Sequence, residues 1–125
     1  NEALHWDDAS LRTVGGIGRQ GNGAIINLGF YPIPIPGESN KSIKERQFDY
    51  LVAAQMLTMH ELGHVFGLCP GTGIINPTDD DLKAAHCQND CVMSWQTDPA
   101  LNKRIIGRPF CKECKKELKQ FFINL

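Results

Sequence analysis

The segment His60-Glu61-Leu62-Gly63-His64 holds two imidazoles four positions apart with a carboxylate between them. Positions four apart share one face of a helix, so both rings can reach a single zinc ion while Glu61 projects beside it. Zinc held in this way lowers the pKa of its bound water toward about 7 and polarises a carbonyl group. A carboxylate at position 61 can take the proton from that water and return it to a leaving amine. This set suits hydrolysis of a peptide bond, with Glu61 as general base; the plainer alternative is two unrelated surface histidines. A catalytic zinc takes three protein ligands and keeps one position open, so a third ligand has to come from beyond this helix.

A second group is built from sulfur. Four of the five cysteines fall in two close pairs, Cys87/Cys91 and Cys111/Cys114. Thiolates spaced C-x3-C and C-x2-C suit a tetrahedral zinc that would pin the C-terminal segment to the turn near Met93. The odd total argues against a pure disulfide framework, although two disulfides would also use these four residues. Cys69 is left over, either as a buried structural thiol or as a regulatory ligand beside the zinc helix.

The run from His60 to Leu68 resembles the zinc helix of the metzincins, H-E-x-x-H-x-x-G, with Gly67 as the glycine that turns the chain. The position where the third histidine of that pattern would fall is Pro70. His86-Cys87, Cys91-Val92-Met93 and Cys111-Lys112-Glu113-Cys114 are similar to the archaemetzincins, in which the third zinc histidine directly precedes the first of four cysteines. The resemblance covers roughly residues 44–122. It implies His60, His64 and His86 on a catalytic zinc, Glu61 as base and Met93 as the Met-turn under the site. It also implies Cys87, Cys91, Cys111 and Cys114 on a second, structural zinc. This chain departs from the family in an insertion, about residues 69–85, and in having three residues between Cys87 and Cys91 instead of four. Asp79, Asp80 and Asp81 rival His86, since a carboxylate can complete such a site; they also read as charge favoured by a helix N-terminus. Met93 equally suits a core position, where methionine fills irregular gaps.

The implied fold is α+β: a small metzincin-like zincin domain with a twisted, mostly parallel sheet, an antiparallel edge strand, a long zinc-binding helix and a C-terminal helix. Local signals supply its elements. The glycine-rich stretch 15–23 reads as a loop feeding a strand at 24–31, which Pro32, Pro34 and Pro36 terminate by removing ladder donors. Ser42 with Glu45 three residues on makes a capping signal, and Phe48, Leu51, Val52, Gln55, Met59, Leu62 and Phe66 follow at near-helical spacing. These predict a helix over about 42–66, stopped by Gly67. A loop and a short capped helix follow through Thr78-Asp79-Asp80-Asp81. The stretch 109–122 reads as a C-terminal helix with Leu118, Phe121 and Phe122 on its apolar stripe.

At 125 residues and 42% apolar content the chain suits one core, so 1–125 is expected to form a single catalytic domain. Within it, 1–68 would supply the sheet and zinc helix, and 69–125 the insertion, Met-turn, cysteine site and C-terminal helix. A net charge of -1 gives no field for nucleic acid or an anionic membrane, and no apolar run is long enough to span a bilayer. The expected partner is a peptide or protein substrate laid along the edge strand at 24–30, and the expected state is a monomer. Zinc-bound reduced thiols favour the cytoplasm. Two other functions use the same residues: a minimal zincin with a carboxylate third ligand, and a two-zinc binding module without peptidase activity.

Overall fold

In the computed structural model, residues 16–20, 23–26, 42–95 and 98–124 are described. The first two segments carry the strands β1 (Gly16–Arg19) and β2 (Gly23–Ile26), which pair antiparallel with Gly16 opposite Ile26 and Arg19 opposite Gly23. Residues 20–22 are too few for a crossover, which takes a dozen residues or more, so the chain can only return antiparallel. The twisted, mostly parallel sheet implied by the resemblance therefore does not form: among the described residues the protein is mostly helical, with this one short hairpin.

The glycine-rich run is itself half of the hairpin and not a loop leading to a strand. Glycine is needed there for close approach, because a Cβ on Gly18 would fall against the Glu61 carbonyl oxygen and 3.1 Å from His64 Cβ. Of the strand read at 24–31, residues 24–26 lie in β2; the rest, the proline connector and residues 1–15 lie outside the described residues.

Helix α1 (Ile43–Val65) begins where Ser42 accepts a hydrogen bond from the Glu45 backbone N–H at 3.2 Å. Its core-facing side carries Val52, Met56 and Gly63, with Met59 partly buried against the same cluster. Phe48 and Leu51 from the sequence-level stripe point outward, at 55% and 61% exposure. The helix ends in a Schellman motif: the Gly67 N–H bonds the His64 carbonyl at 3.0 Å, and the Leu68 N–H bonds the Gly63 carbonyl at 2.9 Å. Gly67 takes φ +91°, a conformation that costs a residue with a Cβ about 1–2 kcal/mol.

Helix α2 (Asp79–Ala85) starts in a capping box between Thr78 and Asp81. Helix α3 (Pro99–Ile105) starts at Asp98, whose carboxylate accepts from the Leu101 N–H at 2.7 Å, with proline in its first turn. Lys103 on α3 pairs with Asp49 on α1 at 2.8 Å. Helix α4 (Lys112–Ile123) brings Phe121 and Phe122 against Phe66 just past α1, with ring centroids 5.8 and 5.2 Å away. Among the described residues, the buried apolar cluster is Val52, Met56, Leu68, Cys91, Val92, Met93, Ile105 and Cys114. Two of its members are cysteines of the paired set, so the sulfur group lies inside the core. Among the described residues, no helix is long and apolar enough to cross a membrane.

Candidate metal centre

The helical spacing of four sets His60 and His64 side by side on the last turns of α1, and α2 delivers His86 as the residue that caps its C-terminus. The ring centroids are 4.7 Å apart for His60 and His64, and 5.2 Å from each of them to His86. One ring nitrogen from each residue lies within 4.8 Å of the other two, so the three can hold a metal ion.

Backbone carbonyls decide which nitrogen each ring offers. His60 Nδ1 meets the Val92 carbonyl at 2.7 Å, and His86 Nδ1 meets the Leu82 carbonyl at 2.6 Å. His64 Nδ1 lies 3.0 Å from the Leu68 carbonyl and 3.1 Å from that of Cys69. A carbonyl oxygen only accepts, so each Nδ1 carries the proton and each neutral ring keeps an Nε2 lone pair. The Nε2 atoms of His60 and His64 are 3.1 Å apart. Two such lone pairs repel each other unless a cation binds both. Tetrahedral zinc with Zn–N near 2.0–2.1 Å would separate two such nitrogens by about 3.3 Å. Burial lowers the His60 pKa to about 4 and lowers that of His64, so both rings stay neutral, the form that binds metal. Holding Nδ1–H on a carbonyl is the usual outer arrangement around a metal-bound histidine.

Glu61 is 5% exposed. Burial raises its pKa to about 7, opposed by a hydrogen bond from the Gly18 backbone N–H of β1. Below the helix, Met93 is fully buried, and its sulfur fills the space that a side chain at Gly63 would need. The helix thus rests on Met93 at Gly63, the residue before His64.

The sulfur group is equally tight. Cys87, Cys91, Cys111 and Cys114 place their Sγ atoms within 4.8 Å of one another, and Cys87 Sγ lies 3.7 Å from Cys111 Sγ. A disulfide needs about 2.05 Å. Two thiolates on one tetrahedral zinc, each about 2.3 Å from it, stand about 3.8 Å apart. All four are free thiols, as is Cys69. Cys91 Sγ accepts from the Met93 and Cys111 backbone N–H groups at 3.4 and 3.3 Å, and Asn89 donates to Cys111 Sγ at 3.6 Å. Burial pushes the Cys91 thiol up to about 11 and raises Cys114 as well. Burial also opposes ionisation of Cys111, but the Cys114 backbone N–H and the Asn89 amide bring it below its ordinary value. Four thiolates this close would form only with a cation to balance their charge, and both residue sets fit a metal ion.

No protein-family model, curated protein or solved structure matches this chain.

The histidines and paired cysteines singled out by sequence thus converge in two groups, and among the described residues no carboxylate joins either. The Asp81 carboxylate is engaged instead by the Thr78 N–H and hydroxyl, both at 2.9 Å. Cys69 stands outside the four-sulfur group, yet it packs against the same buried cluster, and burial raises its thiol pKa. Sequence reasoning misses the carbonyls of Leu68, Cys69, Leu82 and Val92, and the Gly18 N–H. Every residue has such backbone groups, so residue type carries no signal for them. Asn89 is the one side chain that spacing within the cysteine segment could have drawn attention to.

Proposed function

We propose that this chain is a zinc-dependent peptidase of archaemetzincin-like type, with a catalytic zinc on His60, His64 and His86 and a structural zinc on the four paired cysteines. The observation that carries the reading is the convergence of three imidazoles, each with its Nδ1 on a backbone carbonyl, around a helix turn that also holds Glu61. Bound zinc supplies an ionisable water and polarises the scissile carbonyl.

The chain's own residues do the rest. The Glu61 carboxylate takes the proton from the attacking water and gives it to the leaving nitrogen, while the Gly18 N–H steadies it. Val92, Leu82, Leu68 and Cys69 hold the imidazoles in one orientation through their carbonyls. Among the described residues, the edge of β2 away from β1 is unpaired, and an extended substrate can add to it as a strand.

The test is zinc content by elemental analysis together with cleavage of a mixed peptide library. Glu61→Gln should keep its zinc and lose about 10²- to 10⁴-fold in rate, the usual contribution of a general base. Zinc retained by a wild-type chain that cleaves nothing would overturn the peptidase reading and favour the two-zinc binding module.

A further inference from the structure

Each of the three histidines is fastened to the sulfur group by its own short route. His86 is followed directly by Cys87. His60 Nδ1 donates to the carbonyl of Val92, the residue after Cys91, at 2.7 Å. His64 Nδ1 meets the carbonyl of Cys69 at 3.1 Å, and Cys69 packs with Cys87 and Cys111 against the cluster that holds Cys91 and Cys114. Cys69 adopts φ +46°, an unusual conformation for a non-glycine residue.

Residues 86–95 contain no helix or strand. The bonds that fold them include the Cys87 N–H on the Met93 carbonyl at 3.1 Å, the Val92 N–H on the Pro109 carbonyl at 2.7 Å, and the N–H groups that bond Cys91 Sγ. Each of those bonds lies within, or one or two residues from, a paired cysteine. A metal ion on the four sulfurs would tie residues 87–91 to 111–114 and hold the Val92 carbonyl where His60 needs it.

We infer that the cysteine centre organises the histidine centre: a divalent metal ion fills the four thiolates first, and that binding raises the affinity of the three histidines for the second ion. Outer groups that orient metal ligands are typically worth about 10- to 100-fold in affinity, which sets the size of the coupling. This rests on the two-metal reading above, and on the peptidase activity not at all.

The experiment titrates the reduced, metal-free full chain with cobalt(II), whose thiolate and histidine sites absorb differently. In the wild type, thiolate-to-cobalt absorption should rise over the first equivalent and the histidine-site bands only over the second. Cys111→Ser should bind cobalt at the histidines about 10- to 100-fold more weakly. His86→Ala should leave the affinity of the cysteine centre unchanged. Signals that grow in parallel in the wild type, or an undiminished histidine site in Cys111→Ser, would overturn the inference; if Cys111→Ser does not fold, the order of filling in the wild type decides alone. Ordered filling in a chain that cleaves no peptide would remove the peptidase reading and leave the coupling standing. Independent filling in an active peptidase would do the reverse.

Discussion

The choice between His86 and the aspartates as third ligand comes down to single side chains. His86 Nδ1 is held on the Leu82 carbonyl at 2.6 Å, whereas Asp81 closes a capping box. His86→Ala is therefore expected to lose one bound metal ion, and Asp79→Ala or Asp80→Ala none, as elemental analysis would report. Gly63 poses a different question, because two effects oppose each other there. Alanine favours a helix interior over glycine by about 1 kcal/mol, but a methyl group at this position meets the Met93 sulfur. Overpacking a closed core costs about 1–3 kcal/mol, so the clash should win and Gly63→Ala should lower the thermal midpoint. A higher midpoint would mean that Met93 is not pressed against this helix.

Two short pieces of secondary structure aim the ligands. The Schellman turn after α1 swings the Leu68 and Cys69 carbonyls back onto His64 Nδ1, and it depends on Gly67 at φ +91°. Gly67→Ala should cost about 1–2 kcal/mol in chemical unfolding and weaken metal binding at the histidines. Asparagine, which tolerates this conformation better, should restore part of both. Helix α2 depends on its cap, so Thr78→Ala should cost about 0.5–2 kcal/mol; because α2 carries both Leu82 and His86, zinc affinity at the histidines should fall while the cysteine centre keeps its ion. Zinc competition against a coloured chelator would read both. The long helix and its stop were legible because Ser42, Glu45 and Gly67 act on their immediate neighbours. Helix α3 was equally legible in Asp98-Pro99, a cap followed by a first-turn proline. The core face of α1 was not legible: Phe48 and Leu51 fit the helical period as well as Val52 and Met56 do, and only the packing partners separate them.

At the scale of the molecule, two of the eight members of the buried apolar cluster among the described residues are metal-type cysteines. Metal binding should then act as folding energy. Removing metal with a chelator under reducing conditions is expected to lower the thermal midpoint or abolish the cooperative transition, and zinc should restore it. An unchanged melting curve after complete metal removal would show that the apolar contacts suffice alone. What the sequence by itself determined is whatever depends on a few residues in a row: two imidazoles on one helix face, two close cysteine pairs, the caps and the glycine stop. Covalent geometry and helical period set those distances before any tertiary contact forms. Only the tertiary structure decided that residues 16–19 form a strand against α1, and that His86 and not an aspartate meets His60 and His64. It also decided which carbonyl takes each Nδ1 proton. Some of these closures, such as β1 against α1 and His60 on the Val92 carbonyl, join points 32 or more residues apart, and the carbonyls that take the protons are groups that all residues share, so no side-chain pattern records them.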